Sequence, residues 1–127
     1  MVDQPSAISP EKLALYRATA RQRAAEEAQR LHAAFARAWQ VARTGAALLR
    51  TGYGATRVLV FGSLTDEALF HARSDIDLAT EGIEESSYLR ALADLLSLSP
   101  EFSFDLVRIE EASPSLRAFI EEQGQEL

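Results

Sequence analysis

Three aspartates and a glycine–serine pair carry the chemistry that can be read from this chain. Asp75 and Asp77 flank Ile76, and Asp105 lies inside Phe104-Asp105-Leu106-Val107. Gly62-Ser63 closes the apolar run Val58-Leu59-Val60-Phe61. On a strand, residues two apart share a face, so Asp75 and Asp77 project together while Ile76 and Leu78 enter a core. Two like charges held side by side destabilise each other unless a cation lies between them. Magnesium takes oxygen ligands, typically one or two carboxylates completed by substrate phosphates. Two such ions can clamp the attacking and leaving oxygens of an in-line displacement. A glycine turn lets backbone N–H groups come close to phosphate oxygens, and the Ser63 hydroxyl adds a polar contact. Together these groups describe a phosphoryl- or nucleotidyl-transfer site.

Positioning these groups requires strands at about Arg57–Phe61 and Ile76–Thr80, and a third within Phe102–Ile109. The third alternates, with Phe102, Phe104 and Leu106 on one face and Asp105 on the other. A short helix with Tyr88, Leu89, Leu92, Leu95 and Leu96 on one side links the second and third strands. A last helix opens at Ser113-Pro114 and runs to about Glu121. Upstream, Ser9-Pro10-Glu11 is a helix start. From there to about Thr51 the chain is rich in Ala, Arg, Glu, Gln and Leu, all good helix formers. Gly45 is a point where that helix could soften or break, and Gly52 is the expected C-terminal cap. A helix of that length, about 60 Å at 1.5 Å per residue, outruns a domain of this size. Either it breaks or its first half finds a partner, most simply a second copy in a homodimer.

The expected fold is therefore α/β (α+β): a small mixed sheet of three to four strands, helices packed mainly on one face, and a long N-terminal helix in front. The expected division is a disordered start over residues 1–9, a helical extension over 10–52 and the transferase domain over 53–127.

Composition narrows the function classes. With 127 residues the chain fits one domain. It has no cysteine, which excludes disulfides and thiolate metal sites. No apolar run reaches membrane-spanning length, and the N-terminus lacks a secretory pattern, so a cytoplasmic location is expected. The formal net charge of −6 argues against direct nucleic-acid binding, which Lys and Arg carry.

The motif set resembles the DNA polymerase β-like nucleotidyltransferases in their minimal single-domain form. That signature is Gly-Ser, a spacer of roughly ten residues, Asp-x-Asp, and a third Asp on a later strand. Here it reads Gly62-Ser63, an eleven-residue spacer, Asp75-Ile76-Asp77, then Asp105. The resemblance implies that Asp75, Asp77 and Asp105 are catalytic and bind Mg²⁺, two ions in the full site. Asp105 would also help activate the attacking hydroxyl. It implies that Gly62 and Ser63 hold the β- and γ-phosphates of ATP or another nucleoside triphosphate. Transfer of a nucleoside monophosphate to a hydroxyl would release pyrophosphate. Minimal members look like antitoxins that partner a HEPN-domain toxin and can add AMP to its tyrosine.

One departure concerns Leu64-Thr65-Asp66-Glu67, which is acidic where a phosphate contact is often basic. Arg73 could supply the missing charge, and so could Arg57. The alternatives from other classes are a binding module that neutralises its partner by contact alone, and a transferase acting on RNA ends or a small molecule. Asp75→Asn should leave folding intact or improve it, by relieving repulsion between carboxylates.

Overall fold

The computed structural model describes residues 8–127. The expectation of a disordered start concerns residues that, apart from Ile8 and Ser9, lie outside that range. One uninterrupted helix, α1, runs Pro10–Tyr53. Ser9 caps it, its hydroxyl accepting the Lys12 N–H, and Pro10 occupies the first helical position. Strand β1 follows (Arg57–Phe61), then β2 (Ile76–Glu81), helix α2 (Tyr88–Leu96), β3 (Phe104–Arg108), helix α3 (Pro114–Gln123) and the two-residue β4 (Gln125–Glu126).

The strands form one mixed sheet in the order β3-β2-β1-β4. β2 runs antiparallel to β1 and parallel to β3, with α2 making the crossover that a parallel pair requires. Strand alternation gives the sheet two covered faces. Val58, Val60, Ile76, Leu78, Phe104 and Leu106 meet α1 and α2 through Ala38, Ala42, Leu49, Ala91 and Leu95. Leu59, Phe61 and Ala79 meet Ile109 and Ile120 on the α3 side. Two of the three helices thus lie on one face.

Gly45 does not break α1. Its missing side chain lets the helix press onto the core: a Cβ there would meet Leu95 Cδ2 at 3.0 Å, Phe104 Cε1 at 3.3 Å and Leu78 Cδ1 at 3.4 Å. Gly45→Val is expected to lower stability by about 2 kcal/mol through overpacking, read as an earlier midpoint in urea at unchanged slope. The C-cap is Gly54, not Gly52. Gly54 takes the left-handed conformation (φ 74°) and its N–H donates to Leu49 O. Gly52 sits inside the last turn.

The N-terminal half of α1 leaves the domain. Its buried residues run from Ala38 to Leu49, whereas Leu15 and Tyr16 are 64% and 56% exposed. α1 closes against the start of β1, where Ala55 N–H donates to Leu49 O. Its middle reaches the opposite end of the sheet, where Phe35 stacks edge-on against Phe70 (5.4 Å) and Arg37 makes a two-pronged pair with Glu101. Residues 10–30, about 30 Å of helix, project past that end as an arm.

Candidate active site

At the arm-side end of the sheet, β1 stops and β2 and β3 begin. Register places Phe61 opposite Asp77, and Asp77 opposite Asp105. Neighbouring strands lie about 4.8 Å apart, so the two aspartates are lateral neighbours on the face away from α1. Ile76 and Phe104, one residue earlier on each strand, point into the α1 side. Asp75 immediately precedes β2 and is exposed, as is Asp105, while Asp77 is partly buried. The Asp77 carboxyl is pushed up from 3.8 to about 6, first by burial, then by the charges of Asp105 and Asp75. The crowding anticipated for the carboxylates therefore falls on Asp77.

Gly62 sits directly against this cluster. It adopts φ +74°, and a Cβ built on it would overlap the Asp77 carboxylate. Gly62 and Ser63 open a short 3₁₀ turn, Gly62–Thr65. The Thr65 hydroxyl donates to Gly62 O at 2.7 Å and fixes the turn, while Leu64 anchors it in the core. Among the described residues Ser63 makes no side-chain hydrogen bond, leaving its half-exposed hydroxyl available.

The acidic residues after the turn are tied away from it. The Asp66 carboxylate accepts the Ala68 N–H, and the Glu67 carboxylate pairs with His32 of α1. His32, exposed on α1, thus joins that helix to this loop. The two arginines considered for a phosphate divide sharply. Arg57 lies at the far end of β1, about 13 Å along the strand, and is held by Glu121 at 2.5 Å and Glu126 at 2.5 Å. It cannot serve the turn. Arg73 is exposed in the loop feeding Asp75 and makes no ion pair among the described residues.

That loop has a clamp that sequence reasoning missed. Ser74, 8% exposed, accepts the His71 N–H at 2.9 Å and returns its own N–H to His71 O at 2.9 Å. His71 Nδ1 accepts the Arg73 N–H, so the ring serves the loop. The available signal was a Ser three residues after His71 in an aperiodic stretch, the spacing of a side-chain-closed turn.

The donor set fits a hard divalent cation in kind: anionic oxygens, one of them partly desolvated, beside a glycine that leaves room. No group of three or more His, Cys, Asp or Glu side chains among the described residues is arranged as a ready metal cage. Magnesium completes its shell with phosphates and water, so one or two of these carboxylates satisfy its protein share.

A family model described as Polymerase beta, Nucleotidyltransferase matches residues 48–127. By structure the chain is similar to a toxin–antitoxin complex solved with AMP-PNP, at 26% identity and a TM-score of 0.54. That match covers 62% of this chain and 65% of the other, so this chain spans about two thirds of its length. It is also similar to a protein described as a minimal nucleotidyltransferase, at 28% identity over 76% of this chain and 95% of the other, TM-score 0.55. A complex of tri-AMPylated Shewanella oneidensis HEPN toxin with MNT antitoxin shares the fold at 22% identity, 70% of each chain and a TM-score of 0.55. No curated protein matches the sequence.

Proposed function

The chain belongs to the Polymerase beta nucleotidyltransferase family, and from that premise we propose that it is an antitoxin enzyme moving AMP from ATP to a tyrosine hydroxyl of a partner HEPN toxin. The observation that carries this reading is the contact between Gly62 and Asp77 at the sheet end where Asp105 stands in register. The similarity to the complex solved with AMP-PNP supports ATP as the nucleotide and a toxin as the partner. The reaction forms a bond between the acceptor oxygen and the α-phosphorus and breaks the α–β bridge, releasing pyrophosphate.

Each residue has a task in that scheme. Gly62 and Ser63 seat the β- and γ-phosphates, through backbone N–H groups and the Ser63 hydroxyl. Arg73, on its clamped loop, offers the one nearby guanidinium without a carboxylate partner among the described residues. Asp75 and Asp77 would hold magnesium, and Asp105 would complete one metal site and help activate the acceptor hydroxyl. Bound magnesium supplies neutralisation of the phosphate charge. With His32 engaging Glu67, the acidic stretch after the turn is drawn from the phosphates, which weakens the case for a silent site. No helix among the described residues is long and apolar enough to cross a membrane, compatible with action in the cytoplasm.

The test incubates the protein with α-labelled ATP, magnesium and a co-expressed helical partner. Label is expected on the partner's tyrosine and should vanish in Asp75→Asn. Inhibition of the partner that survives Asp75→Asn and Asp77→Asn together would show that contact alone suffices. Label passing to RNA or a small acceptor without the partner would move the substrate class.

A further inference from the structure

The arm carries a surface that its own domain leaves uncovered. Leu13, Arg17, Ala20, Ala24, Ala28, Leu31 and Phe35 fall within about 40° of one line along α1, at 100° per residue, with Arg17 its one charged member. Tyr16 borders that line. From Ala38 towards the C-terminus the line runs into the domain core through Ala42 and Leu49, and Leu31 and Phe35 are half-covered at its edge; from Ala28 to the start of the helix no other described residue covers it. Where coverage ends, a cavity of about 270 Å³ opens, floored by Leu31, Ala34, Phe70 and Phe102 and rimmed by the charged pairs Glu27–Arg30 and Arg37–Glu101.

We propose that a second copy of this chain covers this surface, its α1 packed antiparallel about a two-fold axis near Ala24. The stripe is self-complementary in that register. Leu13 of one copy falls opposite Phe35 of the other, Arg17 opposite Leu31 with its methylene stem along the seam, Ala20 opposite Ala28, and Ala24 opposite its own equivalent. Small residues at the centre let the two helices approach closely, while the large apolar residues seal both ends. Leu13 and Tyr16 of each copy arrive at the cavity of the other and fill it.

Charge supports a second copy as the occupant. Residues 10–30 hold five basic against three acidic residues, whereas residues 31–127 hold eight basic against fifteen acidic. The arm tip carries Lys12 and Arg17 against one acid, Glu11, and the sheet end it would reach carries Asp66 and Asp75 beside Glu67 and Glu101, which His32 and Arg37 already engage. Flanking the axis, Arg23 of one copy lies on the same side as Glu27 of the other, an attractive arrangement made twice by symmetry. Over 22 residues, about 33 Å, the contact spans six turns of helix, well beyond what an isolated surface pair provides.

The full chain should sediment as a dimer of the 14.0 kDa subunit across a dilution series. Ala24→Glu sets two carboxylates against each other at the axis and should yield a monomer with unchanged helical circular dichroism, since Glu is a good helix former. Because the chain has no cysteine, the register can be tested directly. Leu13→Cys with Phe35→Cys in one chain should form disulfide-linked dimers on oxidation, and each single variant should not. Those positions are too far apart on one helix to link within a copy. A parent that stays monomeric, or Leu13→Cys alone cross-linking as a parallel pair would, overturns the proposal. These readouts do not depend on nucleotide transfer, so its failure and that of the enzymatic reading are separable.

Discussion

Asp77→Asn is expected to reduce nucleotidyl transfer by about 10²–10³-fold or more while making the metal-free protein more stable. The two effects share one cause. Asp77 is partly buried, and its carboxyl is pushed up to about 6 by burial and by the charges of Asp105 and Asp75. Because the folded state binds this proton more tightly than the unfolded chain, the associated stability is full below about pH 4 and is lost as pH rises through about 6. At neutral pH the ionised carboxylate therefore weighs against folding. Allowing for solvent screening of a half-exposed group, the cost is about 1–2 kcal/mol. Asn keeps the shape without the charge, so the variant should melt a few degrees higher in EDTA at pH 7, and the gap should close near pH 4. Magnesium with a non-hydrolysable ATP analogue should reverse the order, because only the parent gains binding free energy. Equal melting of parent and variant in EDTA at every pH would remove the crowding on which the site rests.

Much of this arrangement is legible before any coordinates, and the reason is periodicity. Strand alternation alone sends Ile76, Leu78, Phe104 and Leu106 inward and leaves Asp77 and Asp105 on the other face, as the two cores record. Ser9-Pro10 and Ser113-Pro114 announce their helices because the cap hydroxyl and the proline act locally. What escapes is whatever depends on contacts distant in sequence. β4 is two residues long and exists because Gln125 and Glu126 find β1; nothing local distinguishes it. Gly45 looks like a weak point in a helix, yet its role is set by Leu95, Phe104 and Leu78 from three other elements. Arg57 and Arg73 look equivalent as charges on the page. Only the topology reveals that Arg57 stands at the wrong end of β1, among Glu81, Glu121 and Glu126. Likewise the acidity after Gly62-Ser63 reads as repulsive until His32, thirty-five residues away, is seen to take Glu67.

Gly62→Ala should be as damaging as loss of an aspartate, by a different route. The residue has φ +74°, a region that costs an alanine about 1–2 kcal/mol. Its new Cβ would also enter the space held by the Asp77 carboxylate. Turn and carboxylate must then separate, and together the effects should cost about 2–4 kcal/mol. A displacement of about 1 Å between the proposed phosphate seat and the proposed metal ligand is enough to lower transfer about 10²-fold. The two contributions can be parted by a double-mutant cycle on unfolding. In an Asp77→Ala background the carboxylate is gone and Asp77 Cβ lies 3.6 Å from the added atom, an ordinary contact, so Gly62→Ala should then cost only its backbone strain. In an Asp77→Asn background the clash remains and the full cost should persist. Contacting residues coupled this way give interaction energies well above the additivity error of distant sites. A cycle that closes to zero would mean that turn and carboxylate do not touch, and the phosphate seat would have to be sought elsewhere than beside Asp77.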